Sequence, residues 1–357
     1  MQRKNLIDTI PQRVGRSMGR RVLILKPRLD LPFKRFAAAQ PDPQLPEIRT
    51  YWDKFVENLK NAHRDSLNDY VHVVELPRWQ FSNELVNFYS PDVAYIPHTE
   101  KNQFKGSKVC LYYMQTVFPE LFTIDPKGWG GGSKFSETHK GVIEMCPPDP
   151  SAFLRYRKRI AQNQSKFKQP DLPGIPSSIP EKYIFVPLQL PHDETILYHS
   201  NVTVPRFVEN LCRWSEKSTD IHIVFKGHPV NIASMEPLKK IISGYPSTTT
   251  YVEDVSIHPL MENCEMVYII NSGTGMEAML HRKPVVAFGR AEYNKFVIEG
   301  NIKDLPSTYL YAKAHNEKEL YRGYEAFFNW FTNRVAFNCE KINPFRLRRY
   351  QQHYHGR

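Results

Sequence analysis

Four short segments carry residue types able to hold an anion or move a proton. The first is Asn271-Ser272-Gly273-Thr274-Gly275. An apolar run (266–270) leads into it and a helical pattern follows. Unpaired N–H groups at the start of a helix attract anions, and Ser272 and Thr274 add hydroxyl donors. Gly273 and Gly275 let a ligand approach the backbone. No Lys follows the glycines and no Gly-x-Gly-x-x-Gly is present, so neither an NTPase loop nor a dinucleotide fingerprint is supported. The same residues also suit a turn capped by its own Ser or Thr.

The second segment is Lys226-Gly227-His228-Pro229, at the end of another strand-like run. A histidine there can donate to a phosphate or protonate a leaving group, or it can be structural. The third is VPLQLPHDETI (186–196), where a strand runs past Gln189 into His192-Asp193-Glu194-Thr195. Adjacent carboxylates can include a base or nucleophile, and Asp193 can equally cap a helix. The fourth is DPKGWGGGS (125–133), with Asp125 as an acid or base beside three consecutive glycines. A surface loop is the alternative.

The elements that must position these residues follow from apolar periodicity. Strands are expected over 21–26, 71–76, 93–96 and 109–113. Helices fit 49–62, with 51/52, 55/56 and 59 on one face, and 79–89. Strand and helix alternate afresh after residue 183: strands at 183–188, 221–226, 248–252, 266–270 and 285–288, helices at 205–217, 235–243, 257–263 and 276–281. Aromatic-rich helices are expected from 317 onward. Such alternation specifies βαβ units and parallel sheets. A Pro-rich, charged stretch (147–180) reads as the connection between two halves. The expected division is a first lobe over 1–165, a linker over 166–182, a second lobe over 183–330 and a basic helical tail over 331–357. Ligands bind such sheets at the carboxyl ends of their strands.

The chain has 357 residues, suggesting two domains at roughly 100–200 residues each. Its 41% hydrophobic and 13% aromatic content excludes a disordered chain. No run of about 18 apolar residues is present, so no membrane-spanning helix is expected. Residues 1–21 lack an apolar h-region, so no secretory signal is expected. Five scattered cysteines with no CxxC spacing read as reduced thiols rather than disulfide or zinc ligands. The formal net charge is +11. It is concentrated partly in residues 1–21, with six Lys/Arg against one Asp, and in the tail RLRRYQQHYHGR, with four Arg and no acid. A solvated basic face, attraction to anionic lipid and binding of anionic small substrates all follow from this charge. No zinc-finger spacing or RNP-type motif supports nucleic acid.

Together, VPLQLPHDETI, KGHP and YVEDVSIHPLMENCEMVYIINSGTGMEAMLHRKPVVAFGRAEY resemble the capsular polysaccharide synthesis proteins of Gram-negative bacteria, which are transferases of the acidic keto-octulosonic sugar Kdo. The resemblance spans 183–297, and in the first half it touches only DPKGWGGGS. Motifs of this order are also similar to those of bacterial sialyl- and polysialyltransferases. The resemblance implies an α/β fold of GT-B type, two Rossmann-like lobes facing a cleft, with C-terminal helices. It implies a glycosyltransferase moving Kdo from CMP-Kdo to a glycolipid or polysaccharide acceptor, with no cofactor. Lys226 and His228 would contact the nucleotide, Ser272, Gly273, Thr274 and Gly275 the phosphate, and Glu277 the ribose, with Gln189 nearby. Asp193 would be the nucleophile or base at the anomeric carbon, and Asp125 the base for the acceptor hydroxyl. The family often has Asp directly before the strand-end Gln; here Leu188 stands there.

Glycosyl transfer needs fixed donors for a leaving phosphate and a carboxylate near an oxocarbenium-like centre, which such a set supplies without a metal. A carboxylate nucleophile would give retention. No DxD-type motif falls at a strand end, so metal independence is expected. A UDP or GDP sugar donor and a non-catalytic nucleotide- or glycan-binding role are the alternatives. The expected location is cytoplasmic, peripheral on the inner membrane face.

Overall fold

The first lobe opens on a buried strand, β1 (Arg21–Pro27), flanked in space by β2 (Tyr70–Leu76) and β3 (Val93–Pro97). The computed structural model describes residues 19–29, 45–77, 80–98, 104, 107–138, 141, 143, 145, 149–170, 174–218, 220–229 and 235–352. The basic segment 1–18, Cys146 and the last five residues lie outside these. Strands β4 (Val109–Gln115) and β5 (Leu121–Asp125) follow. The sheet order is β12-β5-β4-β3-β1-β2, where β12 (Phe337–Asn338) comes from the C-terminal end of the chain. Strands β1 to β4 are parallel; β5 runs antiparallel to β4, and β12 antiparallel to β5. The order thus reverses between β1 and β3, and their carboxyl ends flank a crevice.

Helix α1 (Leu45–Asn61) covers this sheet with the face expected from its period: Trp52, Phe55, Val56 and Leu59 are all buried. Phe55 stacks on Phe122 of β5 with ring centroids 4.1 Å apart. Such a pair contributes about 0.5–1.5 kcal/mol beyond its buried area. Helix α2 (Asn83–Tyr89) is capped by the Ser82 hydroxyl, which accepts from Leu85 N.

Helix α3 (Ser151–Ala161) lies where the sequence reads as a charged connection. Arg155, Arg157 and Lys158 face outward, while Ala152, Phe153, Tyr156 and Ile160 form a buried stripe. That stripe packs under Phe328 of α10 (Glu317–Trp330) and against Phe118. A hydrophobic core continuous with the second lobe therefore starts before residue 166.

The second lobe contains β6 (Ile184–Pro187), β7 (Ile223–Lys226), β8 (Thr249–Val252), β9 (Met266–Ile269), β10 (Val285–Ala287) and β11 (Ile298–Glu299). All pairs are parallel, in the order β11-β10-β9-β6-β7-β8. The central strands are buried throughout, as a parallel sheet covered on both faces requires. Helices α4 (Glu194–His199), α5 (Val204–Glu216), α6 (Glu236–Ile242), α7 (Ile257–Asn263), α8 (Thr274–Leu280) and α9 (Leu305–Lys313) connect or cover these strands. Counted by appearance within the lobe, the strands lie in the doubly wound order 3-2-1-4-5-6, which reverses between β6 and β9. The architecture is two Rossmann-like lobes facing each other, with C-terminal helices.

After α10 the chain crosses back. Phe337, Cys339, Ile342 and Leu347 of α11 (Pro344–Gln352) join the first lobe's core, so residues 337–347 belong to that lobe in space. Among the described residues, no helix is long and apolar enough to cross a membrane.

Candidate active site at two facing strand-order reversals

At the second lobe's reversal, the residues following β6 and β9 are bonded to each other. Gln189 Nε2 donates to Asn271 Oδ1 at 3.0 Å, and Asn271 N donates to Gln189 Oε1 at 3.1 Å. Asn271 Nδ2 donates to the Thr195 carbonyl at 2.7 Å, so the loop opening α4 hangs from the same amide. Gln189 and Asn271 are buried, with each amide satisfied on both sides, which makes the pair a rigid floor.

Asp193 is the N-cap of α4. Its Oδ1 accepts from Thr195 N at 2.8 Å and Thr195 Oγ1 at 2.9 Å. The neighbouring Glu194, the second of the two adjacent carboxylates, faces the other lobe. Its Oε2 lies 3.6 Å from His98 Nε2. His98 directly follows β3 at the first lobe's own reversal, and its backbone N–H donates to the Tyr113 carbonyl. The indole of Trp129 packs edge-on to the His98 ring, with centroids 5.5 Å apart. Strand topology was the signal that would have found His98: it is the residue after a central strand, unremarkable until β1 and β3 are known to be neighbours.

The Ser272–Thr274 turn lies on the same floor. Ser272 Oγ donates to Thr274 Oγ1 at 2.9 Å and accepts from Thr274 N at 3.2 Å. Both hydroxyls are half-buried, and Gly273 is exposed beside Val117 of the first lobe. Gly275 is sterically required: a Cβ there would lie 2.5 Å from the Tyr293 hydroxyl oxygen and 2.7 Å from Ile269 Cδ1. Tyr293 in turn donates to the Ser272 carbonyl, fixing the turn from behind. Glu277 is 3% exposed and accepts from Ser165 Oγ at 2.5 Å, so its carboxyl meets the connecting segment. Burial raises its pKa to about 7.

Lys226 and His228 line a cavity of about 310 Å³ one strand away, with Lys168 and Gln169 from the connecting segment on the other side. Lys226 is 2% exposed, and its ammonium donates to the Gly227 carbonyl at 3.1 Å. Burial pushes its pKa down to about 8, while Asp254 and Glu253 pull the other way. The cavity adjoins the floor, because Leu188 N donates to the Lys226 carbonyl.

Asp125 lies apart from these groups and is 1% exposed. Its Oδ1 accepts from Lys127 N, Gly128 N and Lys134 N, and its Oδ2 from Phe135 N. Burial raises its pKa against the pull of those four amides. A carboxylate so enclosed organises the glycine loop. The loop it shapes meets the other lobe: a Cβ on Gly131 would lie 2.2 Å from the Arg290 carbonyl oxygen. Gly131→Ala is therefore expected to cost about 1–3 kcal/mol in chemical denaturation and to enlarge the radius of gyration. Wild-type values for both would show that the lobes do not meet there in solution.

Among the described residues, no group of three or more His, Cys, Asp or Glu side chains is placed to hold a metal.

The family model for capsule polysaccharide biosynthesis proteins matches residues 150–335, more than half of the chain. The capsule polysaccharide export protein KpsS of Escherichia coli is 28% identical over 131 residues, covering 34% of this chain and 34% of that protein. The capsule polysaccharide modification protein LipB of Neisseria meningitidis serogroup B is 28% identical over 122 residues, covering 32% of this chain and 29% of that one. These alignments span about a third of the relatives' length. Among solved structures, the beta Kdo 2,7 transferase KpsC of Thermosulfurimonas dismutans has a TM-score of 0.45 at 17% identity, covering 85% of this chain and 89% of that chain. The S. aureus MnaA–UDP co-structure has a TM-score of 0.36 at 12% identity, covering 94% and 95%. With its motifs at the strand ends of the matched region, the chain belongs to the capsule polysaccharide biosynthesis protein family.

Proposed function

We propose that the chain is a glycosyltransferase that moves an acidic sugar, Kdo from CMP-Kdo, onto a capsule-type glycolipid or polysaccharide. The observation that carries this reading is the meeting of two strand-order reversals, with Glu194 of one lobe 3.6 Å from His98 of the other across the bonded Gln189–Asn271 floor. Two doubly wound lobes offer one crevice each, and facing crevices suit a reaction between two substrates. Capsule family membership supplies the biosynthetic context, and the motif resemblance supplies the sugar.

In the proposed reaction the bond from the anomeric carbon to the CMP phosphate breaks, and the acceptor oxygen forms the new bond. The acceptor proton passes to a base, and Glu194 with His98 is the pair best placed to take it. Ser272, Thr274 and the Gly273 backbone would hold the leaving phosphate. Lys226 and His228 would hold the rest of the nucleotide, and an anion beside Lys226 would favour its charged form. Asp193 keeps Glu194 in register by capping α4. The reaction needs no resident metal in this reading, so excess EDTA should leave turnover unchanged. The protein would act at the inner membrane face on a membrane-borne acceptor.

Nucleotide-dependent melting tests the donor. At roughly 100 times Kd, a nucleotide should add about 2.7 kcal/mol of stability. CMP is expected to raise Tm, and Ser272→Ala with His228→Ala to remove the shift. A shift with UDP or GDP but not CMP would sink the Kdo assignment. CMP binding without transfer from CMP-Kdo to any capsule glycan would indicate a binding protein instead.

A further inference from the structure

A second cavity, of about 330 Å³, lies where α3 and the C-terminal crossing meet the start of β5, away from every residue assigned above. Three separate segments wall it: α3, the start of β5, and the C-terminal crossing that carries β12 and α11. They bring Arg155, Arg159, Lys341 and Arg346 around one carboxylate, Glu120. Four cations against one anion leave an excess of three positive charges.

That carboxylate is engaged through one oxygen, while its Oε2 is shielded from solvent with no donor among the described residues. Glu120 Oε1 accepts from the Tyr156 hydroxyl at 3.2 Å and pairs with Arg159 Nη1. Two of the remaining cations are held by a ring or a carbonyl. Arg346 lies 4.2 Å over the Phe337 ring and donates to the Ala336 carbonyl at 2.8 Å. Arg155 lies 5.2 Å over the Tyr156 ring. Neither Arg155 nor Lys341 forms an ion pair with a described residue. Arg159 Nε is shielded from solvent and has no acceptor among the described residues. Like charges gathered in a concave site repel one another until an anion joins them. Guanidinium forks match oxyanions with several acceptor oxygens.

We propose that this cavity is a binding site for a phosphate group, either a soluble phosphomonoester or the phosphate of a lipid headgroup. Strand β5 runs antiparallel to β4, so its start lies at the sheet end that carries His98. The site thus lies at the edge of the first lobe's sheet, apart from the nucleotide motifs, and does not depend on the donor assignment.

The test uses the full chain and Arg155→Gln/Lys341→Gln, two exposed positions whose replacement leaves the Glu120–Arg159 pair intact. Calorimetric titration with inorganic phosphate and with glycerol 3-phosphate is expected to show binding that the double variant weakens roughly tenfold or more. Unliganded melting of the two proteins should coincide. Sedimentation with phosphatidylcholine vesicles, with and without phosphatidate, separates the sources. Phosphatidate-dependent binding lost in the variant assigns the site to a headgroup. Loss confined to the soluble titration assigns it to a soluble ester. Equal phosphate affinity in both proteins, or no binding by either, would overturn the proposal. So would binding abolished by Ser272→Ala/Thr274→Ala but untouched by Arg155→Gln/Lys341→Gln, which would place the phosphate in the other lobe.

Discussion

Glu194→Gln is expected to lower the turnover of the proposed Kdo transfer by about 10²–10⁴-fold with an unchanged melting temperature, the loss typical of removing a general acid–base group. His98→Ala should cost a similar factor. Because the two side chains face each other at 3.6 Å, the double variant should be little worse than the poorer single one. Asp193 separates the two roles a carboxylate can have here. Asp193→Asn keeps a side-chain oxygen able to cap α4, so it should retain most activity if Asp193 acts as a cap. A nucleophile would not survive that change. Steady-state transfer from CMP-Kdo reads all four variants. Full activity in Glu194→Gln, or collapse in Asp193→Asn with Glu194 intact, would return the chemistry to Asp193.

The second large effect is on stability against pH. The Glu277 carboxyl is raised from about 4.5 to about 7 in the fold by burial, with Ser165 its hydrogen-bond partner. Between those values the native state holds a proton that the unfolded chain has released. The contribution of Glu277 is complete below about pH 4.5 and is lost as pH rises through about 7. The shift corresponds to about 3 kcal/mol. Glu277→Gln, which stays neutral, should remove that slope from urea denaturation measured across this range, and the variant should be the more stable protein at neutral pH. An identical slope in both proteins would mean that the carboxyl reaches solvent. A nucleotide ribose donating to Glu277 would favour its charged form, so ligand-dependent loss of the slope is a further readout.

The legible and illegible parts of this protein divide by the range of the interactions. The apolar runs of β1, β3, β6, β7 and β9 are local, and so is the apolar face of α1; the strands are readable as short continuous apolar runs because both faces are covered, and the helix because burial imposes a period of 3.6. Strand β5 was not expected: in LFTID the buried Thr123 and Asp125 interrupt the apolar run. Helix α3 was hidden by its cations. RYRKRIA reads as a solvated run unless Phe153, Tyr156 and Ile160 are seen to share a face. Helix α4 is too short for a periodic signal, which is why HDETI left chemistry and capping at Asp193 both open.

By itself the sequence determined the alternation of strands and helices, the four polar segments and the kinship of residues 183–297 with capsule proteins. Motif chemistry and apolar period are properties of contiguous residues, so no third dimension is needed to see them. Only the tertiary structure decided which strand ends are neighbours. It buried Asp125 among four amides and returned residues 337–347 to the first lobe. It also set His98 against Glu194, 96 positions apart in the chain. The physical reason is that strand order follows from how whole sheets bury their faces against helices. NSGTG carries two hydroxyls in any fold; that they lie beside the Gln189–Asn271 floor follows from β9 pairing with β6 across the reversal.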